Sequence, residues 1–216
     1  MYLPAHFGET RVDVMHCLMR ERPLGALVTL DAEGFNAEHI PFEIDPAPAP
    51  YGTLRAHVTR ANPVWRNFPT DTDALVIFQG IHGYITPSWY PTKRGTRKVV
   101  PTYNYAVVHA YGRVRAIEDR EWLRNFVSRL TDRHEAARME RWQVTDAPPD
   151  YIDQMLDAIV GIEVTVARLV GKFKMSQSRT PADQAGVVDG LKASGNADDL
   201  VMAQLVETCG KPRRGT

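Results

Sequence analysis

The sequence predicts a mainly β protein of the α+β class, in which a small antiparallel barrel carries peripheral helices. The first observation is that about six segments with strand character follow one another at hairpin spacing. The second is that Gly, Pro and Asp residues stand between these segments at turn positions. The third is that the long helical patterns come late in the chain, which is typical of helices that lie outside an antiparallel sheet.

The first part of the chain is predicted to be a helix followed by a hairpin. Apolar residues recur at helical spacing between residues 11 and 22, and Pro23 ends the pattern. Residues 24–30 and 37–45 have strand character, and the intervening DAEG sequence at residues 31–34 is turn chemistry. Prolines 46, 48 and 50 then form a loop at the barrel rim. Further strands are predicted over residues 53–59, 74–79, 84–89, 103–117 and 161–171.

Helices are predicted mainly in two later regions. Residues 119–142 are the longest helical run, with Trp122 and Phe126 on one stripe, and a second helix is expected over residues 151–159. We therefore expect residues 1–180 to form the barrel, with helices inserted at about 119–160. Residues 181–216 would be a C-terminal helical appendage packed on the barrel. Its helices are predicted over residues 182–193 and 197–209, followed by a basic tail at 211–214.

Composition favours a packed core and argues against several classes of protein. With 44% hydrophobic and 24% charged residues, the chain is close to an average soluble protein. Its 26 Lys and Arg residues match 26 Asp and Glu residues, so DNA binding would need a local basic patch. No run approaches the roughly 18 apolar residues of a membrane span, and no signal peptide is recognised. We expect a cytoplasmic protein without a membrane partner.

Cysteine and histidine usage gives no indication of a metal site. Cys17 and Cys209 stand in two different predicted helices without C-x-x-C spacing, so we expect free, buried thiols. The seven histidines show no H-x-x-x-H or H-x-H spacing beside a carboxylate. No nucleophile elbow is present either, so hydrolase chemistry has no support.

The most informative stretch is residues 78–90 (FQGIHGYITPSWY), followed by residues 100–105 (VPTYNY). These segments are richer in aromatic, amide and hydroxyl groups than a packing strand requires, which indicates a ligand wall. Tyr84, Ser88 and Trp89 alternate in direction on the predicted strand. Those that face outward could equally belong to a dimer interface, and the pattern does not separate the two roles.

Four other segments share this character: residues 1–7 (MYLPAHF), 39–42 (HIPF), 57–65 (HVTRANPVW) and 172–179 (KFKMSQSR). Together, from residue 1 to about residue 179, the motifs resemble the PaiB-type family of FMN-binding negative transcriptional regulators. The resemblance implies a Greek-key-like antiparallel fold, the FMN-binding split β-barrel. It also implies a homodimer that holds FMN between its subunits.

Given that resemblance, Arg60 is our first choice for the FMN phosphate, since His57 ends a strand and Asn62 opens a helix beside it. On this segment alone, the simpler interpretation is that Asn62 caps the helix and that Arg60 is solvated. Because the other motifs agree with one another, we prefer the cofactor-binding interpretation. Lys172, Lys174 and Ser176 are predicted to share one side of a strand.

The cofactor-binding residues that we predict come from all of these segments. For His39 and His57, flavin contact and hydrogen-bonded barrel packing are equally consistent with the sequence. The charge run Lys93, Arg94, Arg97 and Lys98 is interpreted as a solvated loop, with an anion-attracting rim as the alternative. The predicted set is His39, His57, Arg60, Asn62, Gln79, Gly80, Tyr84, Ser88, Trp89, Lys174, Gln177 and Arg179.

Three functions remain open on the sequence. The first is an FMN-binding negative regulator of transcription. It lacks a readable helix-turn-helix, so the helices after Asp119 or the Arg213-Arg214 tail would have to contact DNA. The second is an FMN-dependent oxidoreductase that acts on a small molecule, as in pyridoxamine-phosphate-oxidase-like proteins. The third is a flavin or haem carrier with neither activity.

Overall fold

A computed structural model of the chain describes residues 1–31, 34–66, 68 and 72–209. These residues form eight β-strands and six α-helices, which confirms the predicted mainly β, α+β class. The strands are β1 (Gly8–Glu9), β2 (Leu24–Asp31), β3 (Gly34–Pro41), β4 (Glu43–Asp45), β5 (Thr53–Thr59), β6 (Ala74–Ile85), β7 (Thr102–Ile117) and β8 (Ile159–Lys174). The helices are α1 (Val12–Glu21), α2 (Thr92–Thr96), α3 (Arg120–Glu135), α4 (Pro149–Asp157), α5 (Pro181–Ser194) and α6 (Ala197–Cys209).

The eight strands form one sheet in the order β3-β2-β6-β7-β8-β5-β4, and β1 pairs with β8. The order is not a simple meander, because β2 pairs with β6 and β5 pairs with β8, both antiparallel. Ala26 stands opposite Ile77 in the first pair, and Ala56 stands opposite Ile162 in the second. Such non-sequential antiparallel neighbours agree with the predicted Greek-key-like topology.

Two compact units alternate along the chain. Unit 1 comprises Met1–Met15, Gln79–Val108 and Val170–Thr216, and unit 2 comprises His16–Phe78 and His109–Leu169. Strands β6, β7 and β8 are each divided between the two. The appendage that we predicted from residue 181 lies in unit 1 together with earlier segments, and the boundary at residue 180 stays a prediction.

In unit 2, one face of the sheet and the inserted helices form the core. Leu27, Leu54 and Phe78 are fully buried on their strands. Helix α3 begins at Arg120 because Asp119 caps it, with its carboxylate accepting a hydrogen bond from the Trp122 amide at 2.6 Å. Leu123 of α3 then packs with Ile152 and Leu156 of α4.

Helix α3 ends at Glu135, seven residues before the predicted end at residue 142. The apolar stripe that carries the helix stops with Leu130, and beyond it Met139 and Trp142 are exposed. A helix of this length is stabilised mainly by packing of its apolar face. Residues 136–142 continue the pattern without buried apolar side chains, so they do not form helix.

Strand β6 is a single strand where we predicted two. Even-numbered residues are buried up to Phe78, and odd-numbered ones from Ile81 onward, so the alternation changes phase at Gln79 and Gly80. One extra residue in one strand of an antiparallel pair shifts the alternation of buried and exposed side chains in this way. The predicted strand at 84–89 was therefore partly wrong, because residues Pro87–Trp89 form a 3₁₀ turn capped by Thr86.

Other sequence predictions stand closer to the structure. Asp31 pairs with Gly34 across the first hairpin, where Gly34 has φ +118°, and the two central turn residues 32 and 33 lie outside the described residues. The short helix predicted after Asn62 is a 3₁₀ turn, Pro63–Arg66. Helices α5 and α6 confirm the two C-terminal predictions. The basic tail at 211–214 lies outside the described residues.

Cys17 and Cys209 form no disulfide, as predicted. Cys17 is exposed on the outer side of α1 rather than buried as predicted, and its thiol donates a hydrogen bond to Glu21 at 3.3 Å. Across the described part of the chain, no helix combines the length and the apolar character that crossing a lipid bilayer requires.

Candidate functional site

Arg60, our first choice for a phosphate contact, is held by acceptors of unit 2. Its Nε donates to the carbonyl of Asp157 at 2.8 Å, and one terminal nitrogen donates to the carbonyl of Ile159 at 3.2 Å. The other terminal nitrogen pairs with a Glu118 carboxylate oxygen at 2.5 Å. The guanidinium therefore ties the end of β5 to the chain around α4 and β8. The phosphate role stays a prediction, and these contacts do not support it.

Asn62 caps the turn that follows. Its Oδ1 accepts a hydrogen bond from the Val64 amide at 2.9 Å, and the Trp65 indole N–H donates to the Arg60 carbonyl at 3.0 Å. These are the contacts of the simpler interpretation that the sequence offered, in which Asn62 is a cap. Its predicted cofactor role therefore has no contact in its favour.

His57 packs against helix α3. It stands opposite Gly161 in the β5–β8 ladder, and its ring lies edge-on to Phe126 with centroids 5.8 Å apart. Phe126 stacks on Trp122, and a Cβ at Gly161 would come within 2.3 Å of the Trp122 ring, so any larger residue there would displace the indole. These contacts are those of barrel packing, which was one of the two interpretations of His57 that the sequence left open. The other was flavin contact.

The packing leaves one polar atom of His57 without a partner. Its Nδ1 is buried and has no hydrogen-bond partner among the described residues. Burial lowers the pKa of His57 below its ordinary value, because an imidazolium there would lose its hydration. The ring is thus held neutral, and an uncharged imidazole is a poor partner for a phosphate.

His39 is exposed on β3, where it stands opposite Ala26 of β2. No described residue forms a hydrogen bond or a ring contact with its side chain. Its cofactor role stays a prediction, and the exposed side chain is free to reach a ligand or a second protein.

In unit 1, the residues of the aromatic stretch separate into exposed and covered groups. Gln79 is exposed and Gly80 is half-buried where the alternation of β6 changes phase. Tyr84 is 52% exposed and lies edge-on to Tyr103 of β7, with ring centroids 5.9 Å apart. Ser88 is exposed, and its hydroxyl lies 3.4 Å from the ammonium of Lys93.

Trp89, which we predicted to be part of a ligand wall, is half-buried and rests on helix α5. A Cβ at Gly190 would lie 2.3 Å from the indole ring, and a Cβ at Gly186 would lie 2.0 Å from the Trp89 carbonyl oxygen. Asp183, on the turn before them, is buried and accepts hydrogen bonds from the Thr92 amide and hydroxyl at 3.1 and 2.9 Å. Helix α5 therefore fixes the segment that carries Trp89.

The ends of β7 and β8 bring lysines and tyrosines together in unit 1. The Lys172 ammonium lies 5.5 Å from the ring centroid of Tyr105 and 5.8 Å from that of Tyr2. It also donates to the Tyr2 carbonyl at 3.1 Å. Pairing of β1 with β8, which sets Gly8 opposite Lys172, brings the N-terminal segment to this strand. We call Tyr2, Thr102, Tyr105, Lys172 and Lys174 the lysine–tyrosine cluster.

Lys174 is the most constrained cation of this cluster. Its ammonium donates to the Thr102 hydroxyl, and among the described residues no carboxylate pairs with Lys172 or Lys174. Partial burial lowers the pKa of Lys174, and the positive charges of Lys172 and Arg179 lower it further. A negatively charged ligand here would reduce the repulsion among these cations and would supply the missing counter-charge.

The loop after β8 is stabilised by its own side chains. Both polar atoms of the Gln177 side chain bond to nearby backbone. Its Oε1 accepts a hydrogen bond from the Met175 amide at 2.6 Å, and its Nε2 donates to the Phe173 carbonyl. Ser176 has φ 63° and is buried, with its hydroxyl 3.0 Å from the Asn104 amide nitrogen. Because β8 ends at Lys174, Ser176 does not share one side of a strand with Lys172 and Lys174, and that prediction was wrong.

Arg179 lies next to Tyr90. Its guanidinium carbon is 4.7 Å from the Tyr90 ring centroid, and one nitrogen donates to the Val100 carbonyl at 3.3 Å. The Tyr90 hydroxyl is buried and meets no hydrogen-bond geometry with a described residue, and burial raises its pKa. Neither contact of Arg179 is with a carboxylate, so its charge also remains available.

Sequence reasoning missed several residues that the structure brings to these places. Tyr2 and Thr102 join the two lysines, and no local pattern indicated this, because the contacts link strands that are far apart in the chain. Gly186 and Gly190 could have been found, since G-x-x-x-G spacing on a helix marks a face that another group can approach closely.

The chain is similar to one sequence family and to several curated proteins. Residues 1–168 match the family model described as "Putative FMN-binding domain". A protein of Emericella nidulans, described as uncharacterized, is 34% identical over 98% of this chain and 98% of its own length. "Protease synthase and sporulation protein PAI 2" of Bacillus subtilis is 31% identical over 96% of this chain and 97% of its own length.

Solved structures resemble the fold at low sequence identity. The flavocytochrome Anf3 from Azotobacter vinelandii superposes with a TM-score of 0.58 and 14% identity, covering 83% of this chain and 75% of that one. The FAD and heme binding protein from Mycobacterium smegmatis has a TM-score of 0.56 and 16% identity, covering 78% and 73%. These likenesses support the predicted split-barrel architecture.

Proposed function

Because the chain belongs to the family of FMN-binding domains, with FMN as its cofactor, we propose that it works as a homodimer. In this proposal the lysine–tyrosine cluster of unit 1 holds the flavin, and the flavin-loaded dimer is a negative regulator of transcription. Family membership, predicted from the motifs, is confirmed by the family match and by the Bacillus subtilis relative. The residue assignments, the dimer and the regulatory role are the proposal.

The observation that carries the proposed site is a pair of lysines that no carboxylate of the described residues neutralises. FMN presents an anionic phosphate and a flat ring with apolar faces, so a site needs cationic donors beside aromatic or apolar surface. Lys172 and Lys174 supply the first requirement, and Tyr105 and Tyr2 supply the second. When bound, FMN would supply one- or two-electron redox chemistry.

Each residue of the cluster has a role that follows from its chemistry. The ammonium of Lys174, oriented by Thr102, would donate to an anionic oxygen of the cofactor. Lys172, which lies 5.8 Å from the ring centroid of Tyr2 and 5.5 Å from that of Tyr105, would add a second charge beside aromatic surface. Tyr84 and Tyr103, exposed and in edge contact, offer further aromatic surface on β6 and β7.

The cofactor site is tested by adding FMN to the purified, cofactor-free protein. We expect saturable quenching of flavin fluorescence with one FMN per chain, and an oxidised-flavin absorption band in protein purified without stripping. Lys174→Gln should weaken binding. Unchanged binding in that variant would remove the lysine–tyrosine cluster from the proposal, and absence of binding by the wild-type chain would contradict the cofactor itself.

The regulatory role is supported by two observations. The printed name of the Bacillus subtilis relative includes sporulation, a cellular process rather than a single reaction. In unit 1, Lys93, Arg94, Arg97 and Lys98 are exposed in and after α2, where they could contact phosphates of DNA. Thr92, at the start of α2, is fixed by the buried Asp183, so these cations extend from an anchored segment.

DNA binding and turnover can be separated in two experiments. We expect the FMN-loaded protein to shift DNA from upstream of its own gene at near-physiological salt, and to release unrelated DNA of equal length. A variant with Arg94→Ala and Arg97→Ala should lose the shift, whereas Lys192→Ala on α5 should keep it. Rapid flavin reduction by NAD(P)H without a specific shift would favour the alternative, an FMN-dependent oxidoreductase.

A further inference from the structure

Among the described residues, two arginines lie over tyrosine rings, and the hydroxyl groups of the two tyrosines differ. In unit 2, the guanidinium carbon of Arg168 is 3.6 Å from the ring centroid of Tyr111, whose hydroxyl lies 3.4 Å from Nδ1 of His109. In unit 1, the guanidinium carbon of Arg179 is 4.7 Å from the ring centroid of Tyr90. The Tyr90 hydroxyl has no hydrogen-bond partner among the described residues. The two pairs therefore share their residue types and differ in whether the hydroxyl has a partner.

The Tyr90 hydroxyl is a buried hydrogen-bond donor that lacks an acceptor. Tyr90 is only 2% exposed, and a buried hydroxyl without a partner is a cost that folded proteins normally avoid. Arg179 cannot supply the missing acceptor, because a guanidinium only donates hydrogen bonds. The carboxylate of Asp183 accepts instead from the amide and the hydroxyl of Thr92. An acceptor for Tyr90 therefore has to come from outside the described residues.

Arg179 is fixed at its backbone and held only weakly at its tip. Its amide donates to the Ser176 carbonyl at 2.9 Å, and its carbonyl accepts from the Gln184 side chain of α5 at 3.1 Å. At the other end, one guanidinium nitrogen donates to the Val100 carbonyl at 3.3 Å, which is long for such a bond. The half-buried side chain can therefore exchange this contact for a better acceptor without moving its backbone.

We propose that Arg179 and Tyr90 bind the carboxylate of a small organic acid, at a site separate from that of FMN. One carboxylate oxygen accepts from the Tyr90 hydroxyl, and the carboxylate pairs with the planar guanidinium in place of the Val100 carbonyl. A single anion thus supplies both the missing acceptor and the missing counter-charge. The inference goes beyond the proposed function, because it depends neither on FMN nor on the lysine–tyrosine cluster.

The charges around the pair favour an anion with a single negative charge. Burial raises the pKa of Tyr90, the charge of Arg179 opposes the rise, and the negative charge of Asp183 adds to it. A dianion such as phosphate would bring excess negative charge next to Asp183. The neighbouring cation Lys174 donates to the Thr102 hydroxyl in the lysine–tyrosine cluster, so Arg179 is the cation that faces Tyr90. A monocarboxylate matches its one positive charge.

Exposed aromatic rings beside the pair offer surface for the remainder of the acid. Tyr84 is close enough to Tyr90 to add to the rise in its pKa, which burial mainly causes. The Tyr84 ring is 52% exposed and lies edge-on to Tyr103, which is 55% exposed. Tyrosine rings pack well against flat apolar groups, in stacked or edge-on geometry. We therefore expect the acid to carry an aromatic group, and benzoate is the simplest probe.

The test is calorimetric titration of the full chain with sodium benzoate, with and without bound FMN. We expect one benzoate per chain and a dissociation constant below roughly 1 mM in both states. Arg179→Gln should raise that constant by about tenfold or more, and Tyr90→Phe by about 3- to 10-fold. Arg168→Gln and Tyr111→Phe change the other arginine–tyrosine pair and should bind benzoate like the wild type. Inorganic phosphate should bind at least about tenfold more weakly than benzoate.

The stability of Tyr90→Phe provides a readout that an ordinary structural hydroxyl would not give. Removing a buried hydroxyl that has no partner should leave the melting temperature of the free protein unchanged or raise it. Saturating benzoate should raise the melting temperature of the wild type, because a ligand that binds only the folded state stabilises it. The rise should be smaller in Tyr90→Phe and in Arg179→Gln.

Four results would overturn the inference. They are no benzoate binding by the wild type, equal binding in Arg179→Gln and Tyr90→Phe, stronger binding of phosphate than of benzoate, and displacement of benzoate by FMN. A lower melting temperature of free Tyr90→Phe would also overturn it, since the hydroxyl would then have a partner within the chain. FMN titration of the same samples is scored separately. A wild-type chain that binds benzoate but not FMN would contradict the cofactor site and leave this inference standing.

Discussion

Arg60 in unit 2 and the lysine–tyrosine cluster in unit 1 show how the same kind of charge can have two different roles. Arg60 is surrounded by acceptors from its own chain, namely Glu118 and the carbonyls of Asp157 and Ile159. Lys172 and Lys174 have a carbonyl, a hydroxyl and aromatic rings, but no carboxylate among the described residues. A cation that the fold neutralises serves stability, and one that it leaves without a counter-charge is available to an anion.

The largest effect on FMN binding should come from removing a cation that has no counter-charge in the fold. We expect Lys174→Met to raise the dissociation constant of FMN about 10- to 100-fold, because a charge-assisted hydrogen bond contributes about 1.5–3 kcal/mol. Methionine has a similar length and keeps the apolar stem. Fluorescence titration measures the change. Lys192→Met, which removes an exposed partner of Glu207, is the control and should bind FMN like the wild type.

The next largest effect should be on stability and should come from helix α5, because α5 packs against the segment that carries Trp89. Gly190→Ala places a methyl group where only 2.3 Å separates it from the indole, so we expect a loss of about 1–3 kcal/mol in the free energy of unfolding. Urea denaturation measures it. Gly95→Ala on α2 meets no atom within 4 Å and should be neutral or slightly stabilising. Equal stability of the two variants would mean that α5 does not seat Trp89.

Arg60→Ala distinguishes the two interpretations of this residue directly. We expect a loss of about 1–2 kcal/mol in unfolding free energy, since a partly exposed guanidinium loses one ion pair and two carbonyl contacts. The FMN dissociation constant should change by less than about threefold. Arg66→Ala, which removes a cation that contacts the Trp65 ring and forms no ion pair with a described residue, is the control. A tenfold loss of FMN affinity would restore the phosphate role predicted from the sequence.

The smallest effect should be a pH dependence of stability that comes from His57. Its pKa is lowered in the folded protein, so on acidification the unfolded state binds the proton first. The contribution of His57 is therefore fully present above about pH 6.5, the ordinary value for histidine, and declines as the pH falls toward the folded pKa. His57→Gln should reduce this slope in urea denaturation between pH 8 and 5. His134→Gln, exposed on α3, should keep it.

Motif positions were predictable from the sequence, whereas the neighbours of each motif residue were not. The hairpin partners, the C-terminal helices and the family were all recognisable, because local periodicity and several separate motifs agreed. The sequence did not predict that Gln177 bonds its own loop or that Trp89 rests on α5. The nearest neighbours of a side chain can come from other segments, which the local pattern does not contain, and the cofactor roles of both residues stay predictions.

By itself, the sequence determined the alternation of buried and exposed residues, the late position of the helices and membership of the FMN-binding family. Only the tertiary structure decided which cations are neutralised, because that depends on acceptors such as Glu118 and the Asp157 carbonyl, about 60 to 100 residues away from Arg60. It also decided that Arg179 lies over the ring of Tyr90, since the loop after β8 and the segment after β6 are distant in the chain and meet only in the fold.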